Sequence, residues 1–232
     1  MIDYGRFEAL TFDCYGTLID WETGILAAAR AAVGALARYP DEALLTAFAA
    51  IEAEAEVPYR PYRGVLALCL RGLGARFGVA VDDASAAAFA DSVGHWPPFP
   101  DSTAGLRALQ GRFRLAVITN CDDDLFARSE ARLGVKFDPV ITAEQVRSYK
   151  PDLQNFRVAH ARIGVPRERI LHVAQSLYHD HVPAKQLGMT TVWINRRAGK
   201  GAGGATPPAE ATPDGVFPDL ASFAAAATAA RR

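Results

Sequence analysis

Hydrophobic positions fall into three regimes along this chain. Over residues 7–12 they run together, the pattern of a short strand buried on both faces of a parallel sheet. After Trp21 they recur at helical spacing, as at Ile25, Leu26, Ala29, Val33 and Leu36, and an alanine-rich, helix-forming composition continues to Val93. Breaks at Pro40-Asp41, at 58–61 and at 72–78 divide this block into about four helices, with Asp41 as an N-cap. The prolines of HWPPFPDS, residues 95–102, exclude helix and mark the return to another domain. Beyond them strands and helices alternate. The pattern predicts a helix over 103–109, a strand over 115–119, a helix over 125–133 and a short strand over 139–142. A helix over 153–163, a strand over 170–174, a helix over 182–187 and strands over 190–194 and 216–217 complete it.

This alternation predicts an α/β fold with a doubly wound parallel sheet, whose ligands sit outside the carboxyl ends of the strands. The all-helical block, inserted directly after the first strand, would hang over that edge as a lid. The expected division is therefore a core of 1–20 and 99–232 with an inserted helical domain of 21–98. The glycine-rich stretch 199–215 reads as a mobile surface loop and lacks the residue order of a Walker phosphate loop.

Composition narrows the partners. A chain of 232 residues, 50% hydrophobic, buries a substantial core without further staples. A formal net charge of -1, with both signs mixed, offers no field for nucleic acid or an acidic membrane, so a small molecule is the expected partner. Three scattered cysteines, Cys14, Cys69 and Cys121, suit a reducing compartment, and the expected location is the cytoplasm. The first residues hold no apolar signal core, and no stretch approaches the length of a membrane span.

Winding the sheet brings four distant sets of polar residues to one edge: Asp13 after the first strand, Thr119-Asn120 after the second, Lys150 after the third, and 175–180 after the fourth. Each set alone has an ordinary reading. Asn120 and Asp180 are placed to cap helices, and Lys150 to be solvated. Their convergence is the functional signal.

These residues resemble the haloacid dehalogenase superfamily of aspartate-nucleophile hydrolases, through the DxxGTLxD pattern 13–20, Thr119-Asn120, Lys150-Pro151 and VAQSLYHD, 173–180. The resemblance implies a Rossmann-like core, a helical cap and a covalent intermediate on Asp13. Phosphatases of the superfamily carry a second Asp two residues after the nucleophile and a magnesium-binding Asp after the fourth strand; here Tyr15 and Gln175 stand in those places. A neutral amide is a weaker ligand for a hard cation. The DxYGT version is instead similar to the type II 2-haloacid dehalogenases, which use no metal or cofactor and attack C2 of a small carboxylic acid.

That resemblance assigns Asp13 as nucleophile and Lys150 as the group that keeps it ionised and in line. Thr17, Thr119 and Asn120 would bind the substrate carboxylate or an oxyanion, and Asp180 would orient Lys150 or activate water. Tyr15, Gln175, Ser176 and His179 complete the expected substrate-binding set. The family's halide-receiving Arg is missing: the comparable stretch, 48–56, offers alanines and three glutamates, so Arg60 or Arg63 would have to replace it from the next turn. Further departures are Leu177 and Phe156, where the family often has Asn and Tyr. The resemblance also implies a homodimer. Two alternatives stand beside it: a magnesium phosphatase with an atypical site in which Gln175 and Asp180 hold the ion, and a non-catalytic module that binds a small acid or a partner protein.

Other features have plainer readings. His179, Asp180 and His181 suggest a metal set with His172, although His172 falls in a strand and reads as core, and His179 reads better as lining a cavity. Cys14 and Cys121 flank Asp13 and Asn120 but should point away from them. Tyr15, Trp21, Tyr59, Tyr62 and Trp96 are candidates for an apolar wall between cap and core. Glu52, Glu54 and Glu56 read as a solvated helix edge.

Overall fold

The computed structural model describes residues 2–199 and 204–229. Its element order is β1 (Ala9–Phe12), α1 (Trp21–Ala32), α2 (Asp41–Ala55), α3 (Tyr62–Phe77), α4 (Asp83–Asp91), α5 (Ser102–Gln110), β2 (Arg114–Thr119) and α6 (Asp123–Leu133). There follow β3 (Val140–Thr142), α7 (Ala143–Val146), α8 (Leu153–Ile163), β4 (Ile170–Ala174), α9 (Val182–Gln186), β5 (Thr190–Ile194), β6 (Gly215–Phe217) and α10 (Leu220–Ala229). The strands form one six-stranded sheet in the order β3-β2-β1-β4-β5-β6, with every paired neighbour parallel.

The continuous apolar runs in the sequence have a direct cause: both faces of the sheet are covered. Leu10, Phe12, Leu115, Val117, Leu171 and Val173 enter one core with residues of α5, α6 and α10. Their alternates Ala9, Ala116, Ile118 and Ile170 enter a second core with Phe156, Ala159 and Ile163 of α8. A half-exposed sheet would have required polar residues at every second position. β1 and β4 are neighbours although far apart in sequence, and β1 lies between β2 and β4. The chain therefore reverses its winding at β1, which leaves a crevice at the carboxyl end of that strand.

The helical block leaves and rejoins the sheet side by side, for Asp20 N donates to Pro97 O at 2.8 Å and Phe99 N to Leu18 O at 3.0 Å. A second tie is the Asp122 carboxylate, which accepts from the backbone N–H groups of Tyr62 and Arg63 at 2.7 and 3.1 Å. It caps α3 from the far side of the interface and satisfies two otherwise orphan donors.

Several local expectations are corrected. Asp41 is the first residue of α2 and not its cap; its carboxylate pairs with Arg30. Gly72 does not break α3, since a Cβ there would lie 2.9 Å from Ile51, and its role is to let α2 and α3 approach. The helix stops at Gly78, in the left-handed conformation at φ +66°. Part of the expected 199–215 loop, 200–203, lies outside the described residues. Where the loop resumes it is pinned: Ala205 is buried and its N–H donates to Glu22 at 3.0 Å. The alanine-rich end that forms α10 and the one-turn α7 have no counterpart in the sequence reading. Among the described residues no helix is long and apolar enough to cross a membrane.

Candidate active site

β1 carries Asp13 to the crevice, where the Asp13 N–H donates to Val173 O of β4 at 3.2 Å. The chain then turns tightly, with Cys14 O accepting from Thr17, Leu18 and Ile19 N–H groups at 3.3, 2.8 and 3.0 Å. Gly16 makes the turn possible: its φ is +90°, and a Cβ would sit 2.9 Å from the Trp21 indole nitrogen. The turn returns Thr17 to the acid, its hydroxyl donating to Asp13 Oδ2 at 2.5 Å.

Lys150 meets the other oxygen. Its ammonium donates to Asp13 Oδ1 at 2.9 Å, Asp180 Oδ1 at 2.7 Å and Ile118 O at 2.9 Å, which uses all three of its N–H bonds. Asn120 fixes the backbone beneath it, accepting from Lys150 N at 2.7 Å and donating to Lys150 O at 3.0 Å. Asp180 is carried by a π turn over Leu177–His181 that opens directly after β4. His172 of β4 lies behind it, with Nε2 3.1 Å from Asp180 Oδ1 and Nδ1 2.9 Å from the Thr11 hydroxyl. Asp180 Oδ2 has no hydrogen-bond partner among the described residues.

These contacts set the protonation states. Burial pushes the Asp180 carboxyl up, but Lys150 and His172 pull harder and hold it well below the ordinary carboxylate range. Burial draws the Lys150 ammonium down, and the two carboxylates more than reverse this. Asp13 corrects the expectation of a depressed pKa. Burial and the nearby Asp180 charge push it up, Lys150 and Thr17 pull it back, and the net direction is upward. Burial takes His179 down to about 4, so it is neutral near pH 7.

A cavity of about 30 Å³ is lined by Asp13, Tyr15, Asn120, Lys150, Ser176, His179 and Asp180, with Trp21, Glu52, Glu56, Tyr62 and Thr206 closing it from other elements. Seven of the residues expected to do catalysis or bind substrate therefore meet, and Thr17 stands behind them on Asp13. Thr119 does not reach the cavity; its hydroxyl is buried without a partner among the described residues. Gln175 lines a neighbouring cavity instead, on the far side of Trp21, which borders both. Arg63 points outward to Asp91 and Asp124 at 3.0 and 2.6 Å, and Arg60 is likewise absent from the lining. Neither replaces the missing cation.

The Tyr15 ring forms cavity wall, while its hydroxyl turns into the core, 3.0 Å from Ser129 Oγ. Trp21 and Tyr62 line the cavity with it; Tyr59 and Trp96 do not. Cys14 and Cys121 are fully buried, and burial pushes both thiols up, away from nucleophilic use.

The reading of Glu52 and Glu56 as solvated is overturned. Both are buried and line the cavity, while Glu54 on the opposite face of α2 is exposed. The four-residue spacing Phe48, Glu52, Glu56 was the available signal, because it places these acids on the stripe that buries Phe48. His172 is buried as expected, but it supports Asp180 as well as the core.

The residues do not form the metal set that a magnesium phosphatase would need. Lys150 already fills the space between Asp13 and Asp180, Gln175 lines the other cavity, and the Gln175 backbone carbonyl accepts from Trp193 Nε1 at 2.8 Å. His179 and His181 diverge, one toward Ser176 and the other to Ala174 O. Among the described residues no group of three or more His, Cys, Asp or Glu is arranged to hold an ion.

Comparison with known proteins bears on the family and the fold. Residues 7–188 match the family model described as haloacid dehalogenase-like hydrolase. A curated relative, (S)-2-haloacid dehalogenase H-109 of Pseudomonas putida, is 27% identical over 82% of this chain and 86% of its own length. A glyceraldehyde 3-phosphate phosphatase of Methanocaldococcus jannaschii is 35% identical, over only 42% of this chain and 44% of its own. The solved L-2-haloacid dehalogenase of Xanthobacter autotrophicus superposes with a TM-score of 0.77, covering 94% of this chain and 97% of that one. At 21% identity, that likeness speaks for the fold alone.

Proposed function

Because the chain belongs to the haloacid dehalogenase-like hydrolases, we propose that it hydrolyses the carbon-halogen bond of a small 2-haloalkanoic acid through an aspartyl ester on Asp13. The observation that carries this reading is the single Lys150 ammonium held between Asp13 and Asp180, in a cavity where position 15 offers a tyrosine ring and no carboxyl. An oxygen of Asp13 gives its electron pair to C2, and the carbon-halogen bond breaks with its pair on the halide. Water then attacks the carbonyl carbon of the ester. Asp180, which lines the same cavity and whose Oδ2 has no hydrogen-bond partner among the described residues, takes a proton from that water and returns it to the oxygen of the departing 2-hydroxy acid as the tetrahedral intermediate collapses.

In this reading α1–α4 act as a cap. Tyr15, Trp21 and Tyr62 form the apolar wall that excludes bulk water. The chemistry calls for no cofactor. The unpaired, buried state of Cys14, Cys69 and Cys121 supports a cytoplasmic setting.

Halide release from a panel of 2-haloacids, measured with a chelator present, tests the reading. Release unaffected by the chelator is the expected result. No release from any member of the panel, together with magnesium-dependent phosphate release from a phosphate ester, would replace it by the phosphatase reading.

A further inference from the structure

The helical block brings two more acids into the cavity that holds Asp13, Asp180 and Lys150. Glu52 Oε1 accepts from the Tyr62 hydroxyl at 2.7 Å, and Glu56 Oε1 lies 3.4 Å from Asn120 Nδ2. Among the described lining residues, four carboxyls thus share one cation. Four buried anions facing a single ammonium are not sustainable in a low-dielectric space, so protons must make up the difference. Asp180 is held ionised by Lys150 and His172, and Asp13 has Lys150 and Thr17. The protons fall on the glutamates. Burial takes Glu52 up to about 7, and burial with the neighbouring Glu52 takes Glu56 well above the ordinary carboxyl range.

A departing halide needs a donor, and the one cationic group among the described lining residues is spent. Lys150 has given its three N–H bonds, and Asn120 Nδ2 donates to Lys150 O and faces Glu56. Arg60 and Arg63 lie outside the cavity, and His179 Nδ1 is taken up with Ser176. Resting on the dehalogenation reading, we propose that Glu56, carried as the neutral carboxylic acid, donates a hydrogen bond to the halide as it leaves C2. Asp13 supplies the electron pair of the new C–O bond, and the halide departs with the pair of the old bond. The halide is held by the Glu56 O–H with no proton transferred. Fluoride, the strongest hydrogen-bond acceptor among the halides, gains most from such a donor.

The donor fails when it ionises, so activity falls on the alkaline side. The groups around Glu56 do not account for such a limb. Tyr62 and Cys69 of α3, and Tyr149 before Lys150, are pushed up by burial and stay protonated. Lys150 is raised, Asp180 stays ionised and His179 stays neutral. Asp13 must be ionised to react and so sets an acid limb, whereas Glu52 ionises first and opposes loss of the Glu56 proton.

The test is the pH profile of kcat/KM for halide release from fluoro-, chloro- and bromoacetate, in wild type, Glu56→Gln and Glu56→Ala, with thermal melts as a check on folding. Glu56→Gln keeps a neutral donor and is expected to retain activity within about tenfold while losing the alkaline limb. Glu56→Ala is expected to fall about a hundredfold, with fluoride hit hardest. An alkaline limb unchanged in Glu56→Gln overturns the assignment even if the alanine variant fails to fold. Wild type that releases no halide from any of the three overturns the dehalogenation reading itself, and this inference with it.

Discussion

Asp13→Asn is expected to lower kcat/KM for halide release by at least about a thousandfold, an effect of roughly 4 kcal/mol on the barrier. An amide oxygen has neither the charge nor the basicity to displace a leaving group from carbon. The same change should leave the fold intact. Asn can still accept from Lys150 through its oxygen, and burial already raises the Asp13 pKa, so its anion carries a desolvation cost that the amide avoids. Thermal melting within a few degrees of wild type, with activity gone, separates a nucleophile from a structural acid. Unchanged halide release would remove Asp13 from the role of nucleophile.

Lys150→Met has the second large effect, and it falls on stability as well as rate. Removing the ammonium leaves Asp13 and Asp180 buried with no cation between them, a change expected to cost about 3–5 kcal/mol. The pH dependence of that loss identifies its cause. In wild type, Asp180 is held below its unfolded value, so its contribution is present above the ordinary carboxyl pKa and fades as pH falls. In the variant, two facing carboxylates raise each other, which makes the folded state bind protons more tightly than the unfolded chain. The stability deficit should then shrink as pH falls from 7 toward 5. Urea unfolding of both proteins across that range checks the sign; a deficit independent of pH would mean that packing, not charge, was lost.

The sheet was legible because its strands are buried on both faces, so every residue from Ala9 to Phe12 and from Ile170 to Ala174 is apolar or finds an internal partner. The convergence of Asp13, Lys150 and Asp180 followed from the topology, since each lies in the connection that leaves the carboxyl end of a strand, β1, β3 and β4, on one sheet edge. What was not legible came from the helical block. A helix edge bearing Glu52, Glu54 and Glu56 looks solvated when charge is counted and half buried when spacing is counted. Spacing decided, because α2 packs its Leu45, Phe48 and Glu52 side inward. The direction of Arg63 depended on the acidic partners Asp91 and Asp124, which lie far along the chain, and no local pattern encodes that. Thr206 reaches the cavity only because Glu22 anchors the returning loop at Ala205, a contact between residues 183 positions apart.

The ester on Asp13 is the centre of this account, and oxygen labelling reads it directly. Excess enzyme is given one turnover of a haloacid that it dehalogenates, in water enriched in oxygen-18, and the peptide containing Asp13 is then weighed by mass spectrometry. Attack of water on the ester carbonyl places one heavy oxygen in Asp13 and leaves the product hydroxyl unlabelled. Heavy oxygen in the product hydroxyl and none in the Asp13 peptide would mean that water displaced the halide itself, and would contradict the assignment of Asp13 as nucleophile.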